Sequence, residues 1–532
     1  MGSNLYALET EVRLSESCLW EALRGFYLKE GINAWNGQVP FFITSNVFFA
    51  QESARVLASY CFDLFYRKKI DLTQPIYILE LGAGTGQFSF YCLQELLRLW
   101  SEFFGSDFFR SEPAFKFVYL VTDLSPENIN FCQQHEKFKT WKDQGWIEFK
   151  VLETDQIEKI VDIFGGELKN PLLVTANYLF DSLKQDAFSI QEGQLCESLM
   201  TVQVPNDSIS KTSGKLESLK NLKVDFKQEP ISPENYYPED SQPEYVGLNN
   251  LLKKYQSKLD NAHFLLPVGT FELLKKLIKI SSGKLLLLST DKGYSTLEDF
   301  EGEDEPDLIS HGSFSFWVNF HALNHWAVDS GAEAMPIPIG EGIKSAVLLW
   351  GDEFEKSIFL NQGIQKQVRE FTLSDFFNFY QQFKQPNKDK ELSMDCLLSI
   401  MRWSRWDPYI FRQFSKPIIA QLNKATANVI TGFIEGVDRL VDHIYLLPYG
   451  EDLYLAIAVM LHAIHFYERA LGFYQMSEQT RGPSFLILFN QALCHSRLGQ
   501  ENLTQKYFKL ARELGTPEEI QKVDACMSEK NS

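Results

Sequence analysis

The chain has 532 residues, room for about three domains at roughly 150 residues each. Its 45% hydrophobic and 23% charged residues are globular proportions that exclude wholesale disorder and collagen-like repetition. Fifty-one Lys and Arg against 70 Asp and Glu leave a net charge of −19, which repels phosphate and excludes nucleic acid as the main partner.

In chain order, residues 1–70 read as an N-terminal cap of helix and loop. They include an apolar pattern of helical spacing over 45–66 (Val47, Phe48, Ala54, Leu57, Ala58, Cys61, Phe62, Phe65). The opening MGSNLYALETEVRLSES carries acids and no apolar run, so no secretory signal is expected. From Pro75 the pattern changes. PIYILELG is a short β-leaning run, and residues 88–100 read as a helix. FKFVYLVTD, WIEFKVLETD, PLLVTANYLFDSL and KLLLLSTDKGY are four further strand candidates. Buried apolar runs alternating with helical stretches argue for an α/β domain over 71–355, built on a mostly parallel sheet with helices on both faces.

Residues 191–261 interrupt that alternation. Their centre, KQEPISPENYYPEDSQPEY, is rich in Pro, Glu and Tyr and lacks a period, so it reads as an exposed insertion. LEDFEGEDEPD (297–307) reads as an acidic surface loop without the glycine and spacing of a calcium site. Residues 356–532 read as an all-α domain. Over about 452–517 they resemble tetratricopeptide hairpins. Ala492 stands at the small helix–helix position, Gly499 in the turn, Phe508 and Ala511 on the second helix and Pro517 near the closing position; Ala463, Tyr467 and Ala470 repeat the spacing one unit earlier. Such hairpins present a concave face to peptides, so a partner protein or protein substrate is expected. His462 and His465 share a helix face but lack a third metal ligand, and no metal is expected. The eight cysteines form no CxxC pair and suit reduced thiols. No apolar stretch approaches roughly 20 residues, so no membrane span is expected and the expected address is the cytoplasm.

The sharpest motif is LELGAGTGQF (79–88): a strand, a turn through Gly82, Ala83, Gly84 and Gly86, then a helix. Glycines there permit positive φ and leave no Cβ against a ligand. Glu80, two residues before the first glycine, would repel a pyrophosphate and attract an ammonium group, which favours S-adenosylmethionine over NAD. Asp123 ends the second strand candidate, followed by Leu124, and a carboxylate there can accept ribose hydroxyls. Asp155 ends the third, placed to meet an adenine amino group. All three acids lie at carboxyl ends of strands, where open parallel sheets bind ligands.

These residues resemble the MidA family of S-adenosylmethionine-dependent methyltransferases, relatives of the mitochondrial complex I assembly methyltransferase, over about 31–331. PFFITSNVFFAQESARVL resembles the segment before the family's cofactor loop, LELGAGTGQF that loop, and VTDLSPENINFCQQH the second-strand motif. TANYLFDSL resembles the N-E-x-x-D-A-L motif, and LPVGTFELLKKL with KLLLLSTDKGY the late helix and strand. The resemblance implies a Rossmann-like class I methyltransferase fold. Asn177 and Asp181 match the acceptor motif, but Tyr178 stands where the family has glutamate, and Ser313 and Asn319 where it tends to have aspartates. Family enzymes methylate arginine, which a carboxylate can hold through paired hydrogen bonds and a tyrosine cannot. The cofactor half is kept and the acceptor half altered. Asn177, Tyr178 and Asp181, with Asp291, are the candidates near the acceptor. The expected function is methyl transfer to a protein; the alternative is a methyltransferase-like scaffold that binds partners through its helical region.

Overall fold

The computed structural model of the chain describes residues 5–37, 42–104, 116–205, 219, 222–241, 245–306, 308–310, 313–337, 342–384 and 391–529. Two compact units divide it, Met1–Tyr380 and Gln381–Ser532. The sequence places this boundary near 356, but the aromatic start of helix Leu373–Lys384 belongs to the first unit. Phe376 stacks on Phe48 with ring centroids 4.8 Å apart, and Phe377 and Tyr380 pack on Phe42.

The strands of the first unit, leaving out two-residue pairs, are β1 (Leu5–Val12), β2 (Ile76–Leu81), β3 (Phe117–Asp123), β4 (Ile147–Val151), β5 (Leu172–Asn177) and β6 (Asp186–Gln191), then β7 (Gln194–Pro205), β8 (Lys223–Pro230), β9 (Asn261–Leu266), β10 (Leu285–Tyr294), β11 (Ala332–Ala334) and β12 (Ile343–Trp350). Four helices bear on the site: α1 (Leu19–Glu30), α2 (Val47–Tyr66), α3 (Gln87–Phe104) and α4 (Pro126–Gln134).

The larger sheet has the order β11-β12-β10-β5-β2-β3-β4. The pairs β3–β4, β2–β3, β2–β5 and β5–β10 are parallel, while β12 is antiparallel to both β10 and β11. Every residue of β2 and β3 is buried. Both faces are therefore covered, and these strands read as continuous apolar runs rather than alternating ones. Parallel pairing puts the carboxyl ends of β2, β3, β4, β5 and β10 at one edge, so the segments leaving them meet there.

The second sheet, β1-β7-β6-β9 with β8 on β7, is antiparallel throughout. It corrects two expectations. The N-terminal cap, read as helix and loop, begins with a strand that pairs with β7. The insertion read as an exposed loop supplies β7, β8 and helix Leu248–Gln256. Along β7 buried and half-buried residues alternate, the period-2 signature of a sheet with one wet face. The proline-rich centre is pinned by its tyrosines: Tyr237 is buried and its hydroxyl donates to Asp186 Oδ2 at 2.7 Å. The acidic loop is likewise anchored, with Phe300 buried and Asp299 Oδ2 accepting from the N–H groups of Ser295 and Thr296.

The second unit is helical. Helices Leu453–Ala463 and Tyr467–Arg481 form one hairpin, Phe485–Arg497 and Glu501–Leu514 the next, and Pro517–Glu529 follows. Leu488, Ala492, Phe508, Ala511 and Val523 make one apolar cluster, and Gly499 turns at φ +71. His462 and His465 point to separate tyrosines, Tyr474 at 3.3 Å and Tyr467 at 2.6 Å. Ala492 is wholly buried at a helix–helix contact, so Ala492→Leu is expected to destabilise this unit by about 1–3 kcal/mol through overpacking, seen as a lower melting temperature. Among the described residues no helix is long and apolar enough to cross a membrane.

Candidate functional site

The turn after β2 explains its own composition. Gly82, Gly84 and Gly86 all have positive φ, at +69, +57 and +74. An L-residue in that region costs roughly 1–2 kcal/mol. Gly84 faces a second constraint: a Cβ there would lie 2.9 Å from the Trp35 ring. The loop's donors are turned inward. Ala83 N–H donates to Thr122 O at 2.9 Å, Gly84 N–H to Asp123 Oδ2 at 2.8 Å, and Gly86 N–H to Ala83 O at 3.0 Å.

Asp123 ends β3 and ties three segments together. Besides Gly84 N–H it accepts Ser125 N–H at 2.8 Å and Asn128 Nδ2 at 3.1 Å, both on Oδ1. Ser125 caps α4, so the same carboxylate fixes the glycine loop and the start of that helix. Burial pushes the Asp123 carboxyl above its ordinary range, against these hydrogen bonds.

A cavity of about 450 Å³ opens at this edge. Gly82, Ala83, Gly84, Asp123, Leu124 and Asp155 line it, together with the acceptor candidates Asn177, Tyr178 and Asp181. β4 ends at Val151, four residues before Asp155, which instead lies in a short helical turn, Thr154–Ile160. Two residues expected at the cofactor stand outside the cavity lining. Gly86 sits at the start of α3 and does not line the cavity. Glu80 does not line it either: Leu81 does, and successive side chains of a strand point to opposite faces. The Glu80 carboxylate lies behind the loop, where Oε2 accepts from Ser89 Oγ at 2.6 Å and Tyr119 Oη at 2.9 Å. Burial pushes it up to about 7.

At the other end of the cavity, Tyr178 follows β5 with φ +50, an uncommon backbone for a residue with a Cβ. Its N–H donates to Thr290 O at 2.8 Å, and burial with the nearby Asp291 and Asp181 raises its phenol well above the ordinary value. Asp181 is buried, accepts from Ser182 Oγ at 2.9 Å and lies 3.7 Å from Lys292 Nζ. Asp291 does not line the cavity; it is wholly buried behind Asp181, whose N–H donates to its Oδ2 at 3.1 Å. Ser313 lines the cavity and accepts from Tyr27 Oη at 3.4 Å, whereas Asn319 caps helix Phe320–Asp329 and does not.

The sequence reading missed the N-terminal wall. Trp20, Leu23, Arg24 and Tyr27 of α1, with Trp35, line the cavity, and Arg24 makes a two-pronged ion pair with Glu153 at 2.7 and 2.8 Å. It also missed Lys292, although the charge in STDKGY interrupts an apolar strand end. Among the described residues no group of three or more His, Cys, Asp or Glu is placed to hold a metal ion.

No protein-family model matches the chain, and no curated protein matches it. Among solved structures, an uncharacterised protein of the COG1565 superfamily from Burkholderia thailandensis is 14% identical with a TM-score of 0.32, over 66% of this chain and 88% of that one. A member of the same superfamily from that organism, bound to S-adenosyl-homocysteine, is 13% identical with a TM-score of 0.33, over 67% and 90%. A SAM-dependent methyltransferase from Aquifex aeolicus is 10% identical with a TM-score of 0.22, over 54% and 88%.

Proposed function

We propose that the first unit is a Rossmann-like, class I S-adenosylmethionine-dependent methyltransferase, with the cofactor in this cavity. The observation that carries the reading is the inward turn of the glycine loop. A pyrophosphate needs free N–H groups at such a turn. Here those of Ala83, Gly84 and Gly86 are spent on Thr122, Asp123 and Ala83. These three donors are unavailable to an anion, yet the loop lines the cavity. That suits a ligand without phosphate. The strand order supports the fold assignment, since only β12 runs against its neighbours.

The residues fit an adenosyl ligand. The cavity volume falls within the range of small-molecule sites. Asp123 has three donors on about four acceptor positions, which leaves one for a ribose hydroxyl. Asp155, exposed at the rim, is placed for the adenine amino group. Asn177 buries an Oδ1 with no hydrogen-bond partner, an unmet acceptor in the cavity wall. When bound, S-adenosylmethionine supplies an activated methyl group with a neutral thioether as leaving group. The chain's own task is then orientation, worth several orders of magnitude when the acceptor is held in line, and exclusion of water. Trp20, Tyr27 and Trp35 do the second. Asn177, Tyr178 and Asp181 do the first. A protein acceptor recruited through the helical hairpins of the second unit completes the proposal.

Calorimetric titration with S-adenosylmethionine, S-adenosylhomocysteine and NAD tests it. Micromolar binding of the first two, roughly −8 kcal/mol, is expected, with no heat from NAD. Gly84→Val, which clashes with Trp35 and strains the turn, is expected to abolish binding while circular dichroism stays native. NAD binding in place of the adenosyl ligands overturns the reading.

A further inference from the structure

We propose that the acceptor end of the cavity selects an uncharged hydrogen-bonding group, a hydroxyl or carboxamide, and rejects guanidinium and ammonium groups, because Lys292 already fills the cation position at Asp181. This deepens the methyltransferase reading and rests on it only for the name of the reaction.

The Asp181 carboxylate at this end has a cation of its own. Lys292 follows Asp291 on β10; its ammonium lies 3.7 Å from Asp181 Oδ2 and donates to Ser315 Oγ. Both partners are largely withdrawn from water, with side-chain exposures of 15% and 6%. Asp291 does not face the cavity. It is enclosed behind the pair and takes the N–H groups of Asp181 and Lys292 at 3.1 and 2.8 Å; burial and the nearby Asp181 raise its carboxyl well above the ordinary range. The one carboxylate that lines the cavity here, Asp181, is thus paired with the Lys292 ammonium. A second cation would have to shed its water, meet Lys292 at close range and share a carboxylate already engaged, and desolvation without a dedicated counter-charge is unfavourable.

At this end a donor and an acceptor are without partners among the described residues. Tyr178 lines the cavity, and no described residue hydrogen-bonds its hydroxyl. Asn177 Oδ1 is without a partner beside it in sequence. A hydroxyl or carboxamide can accept from one and donate to the other; a guanidinium or ammonium group only donates.

Ligand-observed NMR on the full chain, with and without S-adenosylhomocysteine, tests this using p-cresol, acetamide and methylguanidinium as probes. Wild type is expected to bind p-cresol or acetamide and to show methylguanidinium binding at least tenfold weaker. Lys292→Met keeps the aliphatic stem and frees Asp181, so methylguanidinium is expected to gain at least tenfold. Asp181→Asn added to Lys292→Met is expected to remove that gain. Wild type binding methylguanidinium as well as the uncharged probes overturns the proposal. So does a folded Lys292→Met protein with no gain. If that variant does not fold, the wild-type discrimination decides alone. S-adenosylhomocysteine titrated into the same wild-type sample separates the two readings: no binding with selectivity intact removes the methyltransferase and leaves the neutral acceptor site, and the converse removes only this inference.

Discussion

Asp123→Ala is expected to abolish adenosyl-ligand binding and to destabilise the first unit by about 3–5 kcal/mol. The carboxylate accepts from three donors in three places in the chain: Gly84 N–H in the loop, Ser125 N–H before α4, and Asn128 Nδ2 within it. Each loses its partner in a site that is 6% exposed, and a buried unsatisfied donor costs roughly 1–3 kcal/mol. Water entering from the cavity offsets part of that. Since domains are stable by only about 5–15 kcal/mol, the loss is readable by urea denaturation. Asp123→Asn keeps one acceptor oxygen and turns an NH2 toward a donor, so it is expected to fall between. The two readouts separate two roles. Lost binding at unchanged stability would mean that Asp123 serves the ligand alone. Lost stability with binding restored by Asp123→Asn would mean that it serves the loop alone.

How much of this was legible depended on the range of the forces involved. The glycine loop was, because positive φ at Gly82, Gly84 and Gly86 is a local requirement that only glycine meets cheaply. Strands β2, β3, β5 and β10 were, because burial on both faces writes itself as an unbroken apolar run, whereas β11 and β12 were not foreseen. Tyr178, Asn177 and Asp181 reach the cavity because parallel pairing forces the carboxyl end of β5 beside that of β2. The N-terminal wall was not legible. Arg24 meets Glu153 across 129 residues, and neither carries a local mark of the other. The insertion was misread because Pro and Glu dominate its composition, while its structure hangs on the alternation in β7 and on Tyr236 and Tyr237, which pack on Phe188. Glu80 is the instructive case. Its place before the glycines pointed to a ligand, but strand alternation puts Leu81 at the cavity and Glu80 on the other side.

That displacement makes Glu80 a pH-dependent burden on stability, and Glu80→Gln is expected to lift it. The carboxyl is enclosed, and burial raises it from an ordinary value near 4.5 to about 7; the hydrogen bonds from Ser89 and Tyr119 pull it down and Asp123 pushes it up. For an acid raised on folding, the folded state holds its proton over a pH range where the unfolded chain has lost it. Stability therefore falls as pH rises through the window from about 4.5 to about 7, and the cost is complete above it. A rise of that size corresponds to about 3 kcal/mol at most. Glutamine preserves the shape, and its Oε1 can accept both hydroxyls without carrying a charge. In urea denaturation the two proteins are expected to coincide near pH 4.5, with the variant more stable by up to about 3 kcal/mol at pH 8. Glu80→Ala is not an equivalent test, because it leaves a cavity and two orphaned hydroxyls at every pH. A stability difference between wild type and Glu80→Gln that stays flat from pH 4.5 to 8 would show that Glu80 does not change protonation there, and that the loop rests on a carboxylate held charged throughout.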